Sequence, residues 1–504
     1  MESVDILHNL LYGFSIGLQP TNILSCFLGV LMGTLIGVLP GIGPIGAMSI
    51  LLPITFKMTP VAAIIMLAGI FYGAQYGGST TSILVNIPGE ASSIITCLDG
   101  HAMAKDGRAG PALGIAAFGS FIAGTIGIVG LMIFAKPLAE FGLKFGPPEF
   151  FSVILLGLTL IPYLTRGHVI KSLMMAAFGL ILGSVGLDAI SASSRLTFDI
   201  LELESGFSFI AIGMGLFGIG EILMNIEEVV PREIVRTKIR HLFPSLSDWM
   251  RAKGAILRGT VIGFALGMLP GGGPTISSFI SYATEKKLSK TPDKFGEGVI
   301  EGVAGPESAN NSASSASFIP LFTLGIPSNI IMALLFGALL IHGMQPGPLL
   351  MKEHPELFWG VVSSMYIGNV MLLILNLPLI PIWVQVLKVP YKILFPLILL
   401  FCIIGAYSLN NSIFDVFVMI VFGIVGYLYR KFEYEGAPLL LAFILGPMLE
   451  LNLRQSLILS KGSALIFLTR PISAIALIIA MLLFVSSLIV IFSKGKAKPP
   501  LGEH

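Results

Sequence analysis

The sequence predicts an all-α polytopic membrane protein of about 12 transmembrane segments, in two sequence-related halves that each contain a broken or re-entrant helix. Four observations predict this. The chain is 55% hydrophobic and only 12% charged, with mean hydropathy +0.90, whereas soluble domains carry about 25% charged residues. Apolar runs recur along its whole length, several near the roughly 20 residues that cross a bilayer as a helix. The alternation of a membrane barrel is absent, so helices are the remaining way to span. Finally, one stretch occurs twice. Residues 29–44 read GVLMGTLIGVLPGIGP and residues 259–274 read GTVIGFALGMLPGGGP, identical at eight of sixteen positions and 230 residues apart.

Composition excludes several classes. A net charge of +2 points to no nucleic acid. Cys26, Cys97 and Cys402 are far apart and read as small apolar filler. There is no GxxxxGK[ST] phosphate loop and therefore no ATP-driven pump, no HExxH, and no His/Cys cluster at metal spacing. The serines have no nearby histidine, which disfavours an intramembrane hydrolase. No cofactor is expected.

Residues 1–21 carry Glu2, Asp5 and His8 but no Lys or Arg, so they lack a signal peptide's basic start and read as an interfacial helix. The first transmembrane repeat is placed at 22–224. Its first apolar segment, Asn22 to Leu39, breaks at Pro40-Gly41-Ile42-Gly43-Pro44. Pro40 removes a backbone donor and ends the helix; Gly41 and Gly43 permit an unwound linker; Pro44 suits the first turn of a new helix. The new helix offers free N–H groups to an anion, and the unwound carbonyls can hold a cation such as sodium.

A second helix is expected from Pro60 to Tyr76, followed by the polar stretch GGSTTSILVNIPGEASS. Ser79, Thr80, Thr81, Ser82, Asn86, Pro88 and Gly89 at membrane depth are tolerable only when buried in protein or lining a wet cavity. Glu90 beside them is a candidate for ion coupling. Asp99 to Ala112 reads as a polar loop, with His101, Lys105 and Arg108 at the surface or a gate. Further helices are expected near 112–134, 148–164, 168–188 and 206–224. Asp188, Glu221, Asp415 and Glu450 read as interface residues near helix ends. Residues 225–258 form a connection with seven basic residues and are placed in the cytoplasm, with the 494–504 tail on the same side.

The second repeat is placed at 259–408. Its break comprises Pro270, Gly271, Gly272, Gly273 and Pro274. A polar cluster follows, with Glu307 as a second coupling candidate and Asn310, Asn311, Ser312 and Ser314 as neutral ligands. It precedes an Ile-Pro step at Pro327-Ser328, as the first cluster precedes Pro88. The two hydroxyl clusters are therefore expected to be counterparts, with about nine residues inserted between break and Ile-Pro step. Residues 409–493 read as scaffold helices with dimer or partner-subunit surface. The acidic, Lys/Arg-free N-terminus suggests that the halves are inverted repeats.

The doubled GxLPGxGP, YGGSTTSILVNIPGE, DGHAMAKDGRAGPALG and GPESANNS together resemble the large membrane permease subunit of the tripartite tricarboxylate transporters, the TctA family. The resemblance covers roughly residues 1–490. The family signatures fall on Gly33 to Pro44, Tyr76 to Glu90, Gly263 to Pro274 and Gly305 to Ser312. It implies a bacterial inner-membrane permease that works with a small TctB-like membrane subunit and a periplasmic TctC-like solute-binding protein. That protein delivers a di- or tricarboxylate, and a sodium or proton gradient drives uptake. A passive anion channel is the alternative, since broken helices also build filters.

Overall fold

The computed structural model describes residues 2–39, 43–164, 169–227, 242–269, 272–387 and 391–494. In chain order the helices are α1 (Glu2–Gly17), α2 (Pro20–Val38), α3 (Gly43–Thr55), α4 (Pro60–Val85), α5 (Thr96–Lys105), α6 (Ala109–Gly142), α7 (Pro147–Leu164) and α8 (Val169–Gly183). Then come α9 (Phe209–Glu227, with a π-helical stretch at Met214–Ile219), α10 (Leu246–Gly267), α11 (Gly273–Leu288), α12 (Glu301–Ala316), α13 (Phe318–Leu324) and α14 (Ile330–Ile341). The chain continues through α15 (Pro355–Asn376), α16 (Ile380–Val386), α17 (Tyr391–Asn410), α18 (Ile413–Lys431), α19 (Gly436–Leu459) and α20 (Pro471–Lys494). Seven described helices are long and apolar enough to cross a membrane, and shorter apolar helices accompany them. The protein is a helical, multi-pass membrane protein.

The chain divides into two compact units, Met1–Leu143 with Ile210–Leu428, and Lys144–Phe209 with Tyr429–His504. Within the first, the repeated GxxxGxxxG is a helix-packing device. A methyl group on Gly29, Gly33 or Gly37 of α2 would sit 2.5 Å or less from the carbonyl oxygens of Met66, Ile70 and Ala74 of α4. Gly259, Gly263 and Gly267 of α10 meet Gly305, Ala309 and Ala313 of α12 in the same way. Lipid offers no hydrophobic drive for helix pairing, so such backbone contact supplies the packing energy.

The two helices at the centre of these pairs are the most buried of the unit. Helix α4 is buried from Ala62 to Val85 and α12 from Gly302 to Ala316, although α12 carries Glu307, two asparagines and four serines. The second unit packs α8 on α19, where Gly179 and Gly183 approach the carbonyls of Leu439 and Phe443. It also ties α7 to α20 through Glu149 with Arg470 (2.6 Å) and Ser152 with Ser473 (2.7 Å).

Several expectations are corrected. Helix α4 does not stop at Tyr76 but continues through the hydroxyl run, because hydroxyls can return their hydrogen bonds to the preceding turn, as Ser79 does to Gln75 O (3.0 Å). The expected loop from Asp99 is the helix α5, buried at Asp99, His101 and Met103 and exposed at Leu98 and Lys105, and α6 starts at Ala109 and runs to Gly142. His101 is accordingly buried, its Nδ1 3.0 Å from Ile83 O. Helix α10 begins at Leu246, inside the expected 225–258 connection, because Ser245 and Asp248 form a capping box. Glu450 lies within α19 rather than at its end. Residues 228–241 and 495–504, parts of the expected cytoplasmic connection and tail, lie outside the described residues.

Candidate functional site

The described ends of the two breaks are alike. Helix α2 ends at Val38 and α3 opens at Gly43, whose φ of +61° needs glycine, followed by buried Pro44. Helix α10 ends at Gly267, Gly272 donates to Leu269 O (3.0 Å), and α11 opens at Gly273 (φ +52°) and Pro274. Gly272, Gly273 and Pro274 are buried. Pro40, Gly41, Pro270 and Gly271 lie outside the described residues. Helices α3 and α11 thus each begin with N–H groups that have no partner inside the helix, the arrangement suited to an anion's oxygens.

A second pair of turns follows. Asn86 ends α4 in the left-handed region (φ +58°), and Gly325 ends α13 in the same way (φ +68°). Four residues later the chain is extended at Glu90 (φ −152°) and at Asn329 (φ −154°). Each of these residues caps the helix that follows. Glu90 Oε2 accepts from Ser92 N (2.7 Å), and Asn329 Oδ1 accepts from Met332 N (3.0 Å).

These contacts fix the correspondence of the halves. The glycines of α2 and α10 match at an offset of 230 residues, but their contact partners, Met66 with Gly305 through Ala74 with Ala313, match at 239. Asn86 and Gly325 keep that offset of 239. The nine extra residues therefore lie after the second break and before α12. At this register Ser79–Ser82 correspond to Phe318–Leu321, and Asn310–Ser315 to Phe71–Tyr76. The expected equivalence of the two polar clusters is thus corrected. Apart from Gln75, opposite Ser314, each is polar where the other half is apolar or aromatic, and the shared motif is the Ile-Pro turn.

The polar clusters meet across the halves. Glu307 on α12 accepts from Ser79 Oγ of α4 (2.6 Å) and from Thr96 Oγ1 of α5 (2.5 Å). Glu90 is held by Ser92, whose hydroxyl also reaches Gln75 Oε1 (2.7 Å). Tyr76 donates to Asn369 of α15 (2.7 Å). Both carboxylates are buried, and among the described residues neither has a Lys or Arg partner. No described group of three or more His, Cys, Asp or Glu could hold a metal. A narrow cleft beside them is lined by Tyr76, Ser79, Thr80, Ser120 and Asn376 with small apolar residues of α6.

The remaining candidates divide by their surroundings. Thr81 donates to Val38 O (2.9 Å), Ser312 to Thr260 O (2.8 Å), Ser314 to Asn310 O (2.9 Å) and Ser328 to Ser317 O (3.3 Å). These hydroxyls are engaged in helix packing. Asn311 Nδ2 donates to Ser120 Oγ (2.6 Å) and Glu307 O (3.1 Å). Asn310 differs: it is 1% exposed and neither its Oδ1 nor its Nδ2 has a partner. Ser82 is fully buried beside Ile83. Gly89 packs against the Gly37 carbonyl, Pro327 is buried, Pro88 is half-buried and Asn86 is exposed.

Sequence reasoning missed Thr96, Gln75, Ser92, Ser120 and Asn329. It also missed Asp99, which is fully buried and accepts from the backbone of Gly296, Gly298 and Val299 (2.7–2.9 Å) and from Tyr282 (2.9 Å). Only Asn329 carried a signal: it stands three residues after Ile326 as Glu90 does after Ile87. The others are placed by packing.

The chain is 51% identical to an uncharacterized 52.8 kDa protein from the TAR-I ttuC' 3' region of Agrobacterium vitis, over 96% of this chain and 97% of that one. A second protein of the same organism, from the TAR-II ttuC' 3' region, is 56% identical over 42% of this chain and 88% of its own length. No solved structure matches. The profile of the tripartite tricarboxylate transporter TctA family matches residues 23–441. With most of its length matched, and with both broken helices inside the match, the chain belongs to the tripartite tricarboxylate transporter TctA family and is the membrane component of such a transporter, not an enzyme.

Proposed function

We propose that the protein is the permease of a secondary active transporter that imports a small di- or tricarboxylate across the bacterial inner membrane, driven by a sodium or proton gradient. A periplasmic solute-binding protein delivers the substrate, and a small membrane subunit completes the complex. The lipid-facing helices outside the repeats give surface for that subunit or for a homodimer. The observation that carries the reading is the paired helix break: α3 and α11 each open on a glycine at positive φ, after apolar helices that end at Val38 and Gly267. Two such N-termini suit the two ends of a dicarboxylate, with no Lys or Arg in either motif.

The mechanism is alternating access around a midplane site built from both breaks, with the halves as inverted repeats and about 12 spans once the broken pieces are counted. Cytoplasmic placement of the basic residues 225–258 sets the orientation. Replacement of Gly273 by valine tests the site, since its φ of +52° admits no β-branched side chain without strain. Gly273→Val should stay in the membrane and lose uptake of every carboxylate in a panel; normal uptake would overturn the site assignment.

A further inference from the structure

Resting on that transport reading, we propose that the coupling cation is carried at a single site, the Glu307 carboxylate, and that the two breaks do not each hold one. The first ground is charge. Glu307 is 1% exposed, hydroxyls of Ser79 and Thr96 donate to its oxygens, and no described Lys or Arg pairs with it. Among the described residues Tyr76, Glu90 and Cys97 interact electrostatically with it, and none of these supplies a positive charge. A dry carboxylate of this kind is tolerated when a cation balances it, as a proton on the group or a metal ion beside it. Without that cation the Glu307 charge repels a carboxylate substrate, so cation binding at Glu307 favours substrate binding nearby.

The second ground is Asn310. It lies three residues from Glu307 on α12, which places both on adjoining positions of one helix face. Its amide is 1% exposed and wholly without partners. Buried amides are otherwise almost always paired, so an unpaired one points to a ligand. A carboxylate with two hydroxyl donors, and an unpaired amide one turn along the same helix, offer hard ligands that carry a single charge. That set suits a proton or a small monovalent cation, and the absence of a described multi-acid cluster disfavours a divalent one.

The third ground is the register. At the 239-residue offset, Glu307 corresponds to Ala68, Asn310 to Phe71 and Ser79 to Phe318. The pseudo-symmetry supplies the helix breaks twice but this combination of residues once. Glu90 has a counterpart, Asn329, which caps the helix that follows without a charge, so capping accounts for the backbone contact of Glu90. Nothing comparable accounts for Glu307.

The test uses the complete three-subunit complex in proteoliposomes, with ²²Na⁺, an internal pH dye and a panel containing citrate and succinate. Wild type should accumulate one of these uphill, with hyperbolic dependence on the coupling cation and a Hill coefficient of about one. Glu307→Gln should lose uphill accumulation by at least about 10-fold, together with substrate-dependent cation movement, leaving carboxylate to move only down its own gradient. Ser79→Ala keeps the carboxylate and should shift the half-saturating cation concentration several-fold. Wild-type coupling in Glu307→Gln, no shift in Ser79→Ala, or a Hill coefficient of about two would each overturn the single site. Failure of wild type to accumulate any panel member under either gradient would instead remove the transport reading, and this proposal with it.

Discussion

Glu90 and Asn329 occupy corresponding N-caps in the two halves of the chain, one with a carboxylate and one with an amide. Both are extended, at φ −152° and −154°, both follow an Ile-Pro step, and both accept a backbone N–H of the helix they precede. The charge of Glu90 is therefore not needed for the turn. Glu90→Asn should accumulate in the membrane at wild-type level, with stability changed by less than about 0.5 kcal/mol. Thermal unfolding of the detergent-solubilised protein checks this, and a large loss of folded protein would show that the carboxylate itself holds the turn.

The six glycines that face carbonyls across α2–α4 and α10–α12 leave no room for a side chain. Gly263→Val would drive two methyl groups into the backbone at Ala309, and should cost about 3 kcal/mol or more and lower membrane abundance sharply. Gly43→Ala differs, because nothing lies within 4 Å of a Cβ there. Its cost is the strain of φ +61°, of order 1–2 kcal/mol. Comparing the two variants by fluorescence-detected chromatography separates packing from backbone strain.

Asp99 ties α5 to the segment between α11 and α12, where the second half has its nine extra residues. Tyr282, Phe295, Val299 and Ile95 pack around this joint. Removing the carboxylate in Asp99→Ala leaves three N–H groups and a phenol without an acceptor and should cost about 3–5 kcal/mol. Tyr282→Phe removes one donor and should cost about 1 kcal/mol. Trypsin should cut at Lys290 or Lys294 much faster in Asp99→Ala than in Tyr282→Phe.

In the loop after α8, the Asp188 carboxyl is held well below the usual carboxylate range. The chief cause is the Ser191 backbone N–H, aided by the Ser191 hydroxyl, the Ile190 N–H and Arg454. A depressed folded-state pKa contributes stability that is present above the unfolded value and lost as pH falls through the folded one. This contribution should be constant from neutral pH to about 4 and decline only in stronger acid. Asp188→Asn should be less stable at neutral pH and should lack that acid decline, by thermal scans from pH 7 to 3.

Much of the architecture could be read from residues. Hydropathy gave the class, and the doubled PGxGP placed both helix breaks because proline and glycine act locally there. What escaped depends on packing. Ser79–Ser82 looked like a non-helical stretch, yet their hydroxyls are compatible with a buried helix. Asp99 and His101 looked exposed because polar residues usually are, while the fold closes backbone donors and carbonyls around them. The two polar clusters looked equivalent because both precede an Ile-Pro step. Only the contacts of the GxxxG glycines reveal the 239-residue register that separates them. Of the site, Glu307 was legible by its type and Thr96 was not, since a lone threonine carries no pattern.

Uphill movement decides between a coupled transporter and a passive pore. The measurement is carboxylate content of proteoliposomes holding the wild-type complex, with an inward sodium or proton gradient imposed separately. One of the two gradients should raise the internal carboxylate well above the external concentration, and collapsing that gradient with an ionophore should release it. Entry that stops at equal concentrations under both gradients would contradict coupled transport and favour a channel.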